Sequence, residues 1–222
     1  MSTPRRDFLG WMGASSLLAA AGSVLPSQAL GAQEARPVDS KWDMSWTDKL
    51  TGKYKAVFDS PDVSEGAALF RACIWRDQHK DVYGTERAET SPVLVIRHEA
   101  IELIMNDEYW NRFDTGKQLK LKDSATNKWS KINPVRVAMA DAPPAMQAYN
   151  LTDFMASGGV VLGCNMAFST PIAKFQKEDK LSHEDAIKTA REHIIPGIIL
   201  QPSGIFAVLR AQELGCHYVI AS

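Results

Sequence analysis

The residues best suited to chemistry lie in the stretch Gly158 to Phe168, GGVVLGCNMAF. Its β-branched run, Val160-Val161-Leu162, stops at Gly163, and Cys164 stands where the chain turns toward a following helix. A thiol at the C-terminal end of a strand, facing the N-terminal end of a helix, occupies the usual ligand edge of an α/β sheet. Helix N–H groups and the helix dipole favour thiolate over thiol there, and the thiolate is the nucleophile. His98 ends an upstream strand, and on the same edge it would accept the thiol proton. Asn165 and the backbone N–H groups of Ser203 and Gly204 would hold an anion. Cys164 and His98 are therefore the catalytic candidates, and Asn165, Ser203 and Gly204 the binding candidates. Each has a plainer alternative. Cys164 would serve as a small buried hydrophobe, His98 as a helix-start residue bonded to backbone, and Ser203 as a helix cap.

Other chemistries lack their residues. His98-Glu99 is not followed by the second histidine of a zincin helix, and His79, His98, His183, His193 and His217 show no paired metal spacing. The chain has no CxxC, GxGxxG, P-loop or GxSxG motif. The sequence therefore predicts no metal and no cofactor.

Positioning these residues requires alternating strands and helices. Tyr54 to Phe58 reads as a strand closed by Asp59-Ser60-Pro61, and Val63 to about Asp81 as a helix with Ala67, Phe70, Ile74 and Tyr83 on or near one face. Pro92 to Arg97 is a second strand, and His98 starts a helix through Met105. Asn106 to Pro134 is a charged, aromatic-containing insertion, expected to be part helix and part mobile loop. Val135 to Met139 is a short strand or a helical segment, interrupted by Pro143-Pro144. Gln147 to Ser157 reads as a helix capped by Gly158-Gly159. After the strand Val160–Gly163 come helices over Met166–Lys177 and Ser182–Ile194, the second opened by a Ser182/Asp185 capping pattern. Ile198–Gln201 is a short strand, Ser203-Gly204 opens a helix through Leu214, and Tyr218–Ile220 is the closing strand. The alternation predicts an α/β domain with a mostly parallel sheet of about five strands.

The chain has 222 residues, 45% hydrophobic, enough for one domain with a substantial core. Its 25 basic and 26 acidic residues give a net charge of −1, and no basic patch is interleaved with aromatics, which argues against nucleic acid as a partner. The N-terminus differs from the rest. Arg5-Arg6 with Phe8-Leu9 behind them, the Ala/Gly/Ser-rich stretch Trp11–Leu25 and the small residues at 27–32 have the order of a removable export signal. The paired arginines resemble the twin-arginine type, which addresses a chain without anchoring it. Residues 1–33 are thus expected to be a signal peptide, 34–52 an N-terminal arm, and 53–222 the domain, in a periplasmic or secreted protein. Losing the signal removes two basic residues and one acidic one, leaving a net charge of −2. Cys73, Cys164 and Cys216 remain, an odd count that leaves one thiol unpaired within the chain. Cys73 among Leu69, Phe70 and Ile74 reads as core filler, and nothing requires a Cys73–Cys216 disulfide.

Three blocks give the chain a family likeness: Val93-Leu-Val-Ile-Arg-His98, Gly158-Gly-Val-Val-Leu-Gly-Cys164-Asn165, and Ile195-Pro-Gly-Ile-Ile-Leu-Gln-Pro-Ser-Gly204 followed by Leu209-Arg-Ala-Gln-Glu-Leu-Gly215. In this order they resemble the DsrE/DsrF-like family of sulfur-relay proteins, in its exported single-domain form. The resemblance implies a three-layer flavodoxin-like fold, a homo-oligomer, and a cysteine, here Cys164, that carries sulfane sulfur as a persulfide. It implies a small sulfur species or a sulfur-donor protein as partner. Cys216-His217, where the relatives tend to carry aromatic residues, and the 106–134 insertion depart from the family pattern. The alternative function is a non-catalytic binding or assembly module using the same cleft or an oligomer interface.

Overall fold

A computed structural model describes residues 41–123, 126–136 and 147–222. The expected signal peptide at 1–33, the start of the arm and the Pro143-Pro144 interruption lie outside the described residues. The sheet has five strands, all parallel: β1 (Tyr54–Ser60), β2 (Thr90–Ile96), β3 (Val160–Cys164), β4 (Ile199–Gln201) and β5 (His217–Ile220), in the order β4-β3-β2-β1-β5. Between them run α1 (Ala67–Tyr83), α2 (Asp107–Arg112), α3 (Thr115–Gln118), α4 (Leu151–Ala156), α5 (Ser169–Asp179), α6 (His183–Glu192) and α7 (Gly204–Glu213). This is the parallel α/β sheet that the alternation predicts, in the three-layer, flavodoxin-like arrangement that the family resemblance implies.

Strand side chains alternate between two cores because successive Cβ atoms point to opposite faces. Ala56, Phe58, Leu94, Ile96 and Val161 pack against α1, α4, α5 and α6. Val57, Val93, Val95, Val160 and Leu162 face the other way, toward Ala207, Val208 and Ala211 of α7. Trp46, on a short 3-10 helix over Ser45–Lys49, completes that second core and is fully buried. The described part of the arm is therefore a structural piece of the layer that holds α7.

Topology explains the layers. The crossovers β1→β2→β3→β4 step across the sheet in one direction, and right-handed crossovers of one direction place their helices on one face. The return from β4 to β5 runs the opposite way, so α7 lies on the other face.

Local signals account for several boundaries. Gly158, at φ +89°, ends α4, with its N–H on Met155 O and the Gly159 N–H on Phe154 O, a Schellman motif. Ser182 Oγ accepts the Asp185 N–H and caps α6. Elsewhere the structure departs from sequence expectation. The helix predicted from Val63 begins only at Ala67, because Glu65 and Gly66, within a short 3-10 turn over Ser64–Gly66, adopt left-handed backbone. Its buried face is Ala68, Leu69, Ala72, Cys73 and Arg76, while Phe70 and Tyr83 are exposed. The reason is Arg76, whose guanidinium donates to Thr90 Oγ1, Ser157 Oγ and Ser157 O and turns that side inward. The helix predicted at His98–Met105 is a 3-10 helix over His98–Ile104, buried from Ala100 through Ile104. The 106–134 insertion contributes Tyr109, Trp110 and Phe113 to the core.

Candidate functional site

At the C-terminal edge of the sheet, β3 is followed by α5 on one face and β4 by α7 on the other. Adjacent strands whose chains leave to opposite faces open a crevice, the common ligand position of open α/β sheets. Cys164 ends β3 at that point, and the Asn165 N–H donates to Gln201 O across it at 2.9 Å. Three of the sequence-predicted site positions, Asn165, Ser203 and Gly204, stand at this same sheet edge with Cys164, after β3 and at the start of α7. Ser203 is the N-cap of α7 and its Oγ accepts the Phe206 N–H at 3.1 Å. The Asn165 side chain is half-buried and has no hydrogen-bond partner among the described residues.

Cys164 itself is 6% exposed and belongs to the α1-side core. Its sulfur accepts the Ala167 N–H at 3.4 Å, at the turn that leads into α5. The other two thiols are also buried and unbonded, Cys73 in one core and Cys216 in the other, so the sheet separates them. Burial pushes Cys73 up to about 12 and Cys216 up to about 11, which holds both as inert thiols.

His98 is exposed, at φ +52°. It shares with Ala167 a cleft of about 500 Å³ that also takes in Glu102, Gln118, Thr170 and Lys174. His98 makes no hydrogen bond to the Cys164 sulfur. At the side of this cleft Lys174 Nζ lies 3.0 Å from Glu102 Oε1, and the ammonium sits over the Tyr109 ring. The buried Tyr109 hydroxyl is pushed above its ordinary value, first by burial and then by the Glu102 carboxylate.

The largest addition to the predicted set is Asp59 and Arg97. Asp59, near the end of β1, is 2% exposed, and both its oxygens are taken by Arg97: Nε to Oδ1 at 2.7 Å and Nη2 to Oδ2 at 2.8 Å. The Tyr218 hydroxyl of β5 donates to the same Oδ2 at 3.0 Å. The hydrogen bonds to Asp59 raise Arg97 above its ordinary value. Gly204 matters here, because a Cβ on it would stand 2.5 Å from Arg97 Cδ and 2.6 Å from Arg97 Cβ. The signal for Asp59 in the sequence is the polar pair Asp59-Ser60 closing an apolar strand. Arg97 has no such signal, since an arginine beside a histidine at a helix start reads as surface.

Among the described residues no group of three His, Cys, Asp or Glu side chains is placed to hold a metal ion, and no helix is long and apolar enough to cross a membrane. The site and fold define a parallel α/β protein with a thiol at its ligand edge. Set against protein-family models and curated proteins, the chain matches none.

Proposed function

We propose that this chain is an exported DsrE-like protein that takes up and relays sulfane sulfur through a persulfide on Cys164. The observation that carries the reading is the position of Cys164 at the C-terminal end of β3, with the Ala167 N–H donated to its sulfur. Such a donor stabilises a sulfur anion more than a neutral thiol. The step balances. The Cys164 thiolate attacks the outer sulfur of thiosulfate, a new Cys–S–S bond forms, and the old S–S bond breaks. Its electron pair leaves with sulfite, and Cys164 holds the persulfide anion. In this reading His98 takes the thiol proton from the cleft side, while Asn165 and the start of α7 face the incoming anion. Export by the twin-arginine route places the reaction in the periplasm or outside the cell.

A second reading, a non-catalytic binding or homo-oligomeric assembly module, is favoured by the burial of that same thiol. Loading separates the two. The protein without residues 1–33 is incubated with thiosulfate or polysulfide, and the Cys164 peptide is weighed by mass spectrometry. One added sulfur on Cys164, absent from Cys164→Ser, supports the carrier. An unmodified Cys164 with both donors leaves the binding module.

A further inference from the structure

We propose that Arg97 is the donor-selecting residue of this edge, its guanidinium binding the sulfonate end of a thiosulfonate-type anion such as thiosulfate. The inference rests on the sulfur-carrier reading of Cys164 and names the class of donor. An arginine presents five N–H groups in a rigid planar fork. Asp59 takes two of them side-on, from Nε and Nη2. The end-on pair, from Nη1 and the second Nη2 hydrogen, has no partner among the described residues. That is a second fork of parallel N–H groups, matched to two oxygens of a sulfonate or carboxylate.

Three features make it a positioned fork rather than a loose surface arginine. Asp59 is buried, and Tyr218 holds its Oδ2, so the carboxylate that aims the guanidinium is itself fixed. The aliphatic stem of Arg97 lies in the space left by the missing side chain of Gly204. The Arg97 side chain is 28% exposed, so the open fork reaches solvent while its anchor does not. Arg97 follows β2, and in the sheet β2 lies between β1, which carries Asp59, and β3, which ends in Cys164. A thiosulfate whose sulfonate oxygens meet the fork can therefore turn its outer sulfur toward the neighbouring strand end. A polysulfide offers no planar pair of oxygens and gains nothing from the fork.

The test uses the protein without residues 1–33, with thiosulfate and polysulfide as probes. Arg97→Lys keeps a cation beside Asp59 and removes the second fork. We expect the rate of persulfide formation on Cys164 to fall about tenfold or more with thiosulfate and to change by no more than about twofold with polysulfide. In Cys164→Ser, where no sulfur transfer occurs, adding Arg97→Lys should weaken thiosulfate binding by calorimetry about tenfold. Tyr218→Phe, which loosens the Asp59 anchor without touching the anion, should give a smaller loss with thiosulfate alone, and it stands in if the lysine variant does not fold. Equal loading of wild type and variants from thiosulfate, or equal losses with both donors, overturns the proposal. Thiosulfate that neither binds nor loads overturns it as well. Arg97-dependent thiosulfate binding without any sulfur on Cys164 removes the carrier reading and leaves the anion site standing.

Discussion

Arg97→Met isolates the network that organises the sheet edge. The Asp59 side chain is 3% exposed and the Arg97 side chain 28%. Breaking a fully buried pair by removing one partner costs about 3–5 kcal/mol, because a charge is left uncompensated. An exposed pair is worth about 0.2–1 kcal/mol. Here the stranded charge is the buried one, while water already reaches the arginine, so the expected cost of Arg97→Met is about 2–4 kcal/mol. Asp59→Asn keeps an acceptor for Arg97 and for Tyr218 and costs about 1–2 kcal/mol. The double variant strands no charge, so its cost falls short of the sum by about 1–2 kcal/mol. Urea unfolding of the four proteins, with unchanged slopes, gives the coupling from the midpoints. Single costs that add to within about 0.5 kcal/mol would refute the argument, as would a cost below about 1 kcal/mol for Arg97→Met.

Three further outcomes follow from other parts of the fold. Trp46→Ala should cost about 3–5 kcal/mol in the same assay, whereas the half-exposed Trp129→Ala should stay near about 0.5 kcal/mol, since Trp46 alone of the two fills the α7-side core. Ser203→Ala should cost about 1 kcal/mol by uncapping α7, and Ser203→Gly only a few tenths. Burial holds Cys73 and Cys216 protonated beyond their ordinary value of 9.0, so the unfolded chain loses these protons first and stability falls as pH rises from about 9 toward 11. Each thiol contributes a slope of up to about 1.4 kcal/mol per pH unit in that window. Urea midpoints across it should flatten in Cys73→Ala/Cys216→Ala.

The architecture was readable from sequence wherever a pattern repeats along the chain. Apolar runs such as Val93–Ile96 and Val160–Leu162 mark buried parallel strands, and Gly158-Gly159, Ser182 and Ser203 mark helix ends through local hydrogen bonds. Each observed strand lies within a few residues of its expected position. The reading weakened where a distant partner decides the outcome. Arg76 turns α1 by reaching Ser157, which is 81 residues away in sequence. Trp46 is polar-flanked and isolated, and only α7 and the sheet face give it a place to be buried. The edge residues divide in the same way. Cys164, Asn165, Ser203 and Gly204 stand at strand ends and a helix start, positions that local pattern marks. Asp59, Arg97 and Tyr218 meet only because β1 lies between β2 and β5. That order is a property of the whole sheet and leaves no mark on any one segment.

The central claim is that Cys164 is a reactive thiol despite its low exposure, and native-state alkylation tests it most directly. The protein without residues 1–33 is exposed to iodoacetamide at neutral pH, and the three cysteine peptides are followed by mass spectrometry over time. Cys164 should be labelled well before Cys73 and Cys216, which react only at the rate of global unfolding. Equal protection of all three thiols until the protein unfolds would contradict it and leave Cys164 as part of the core.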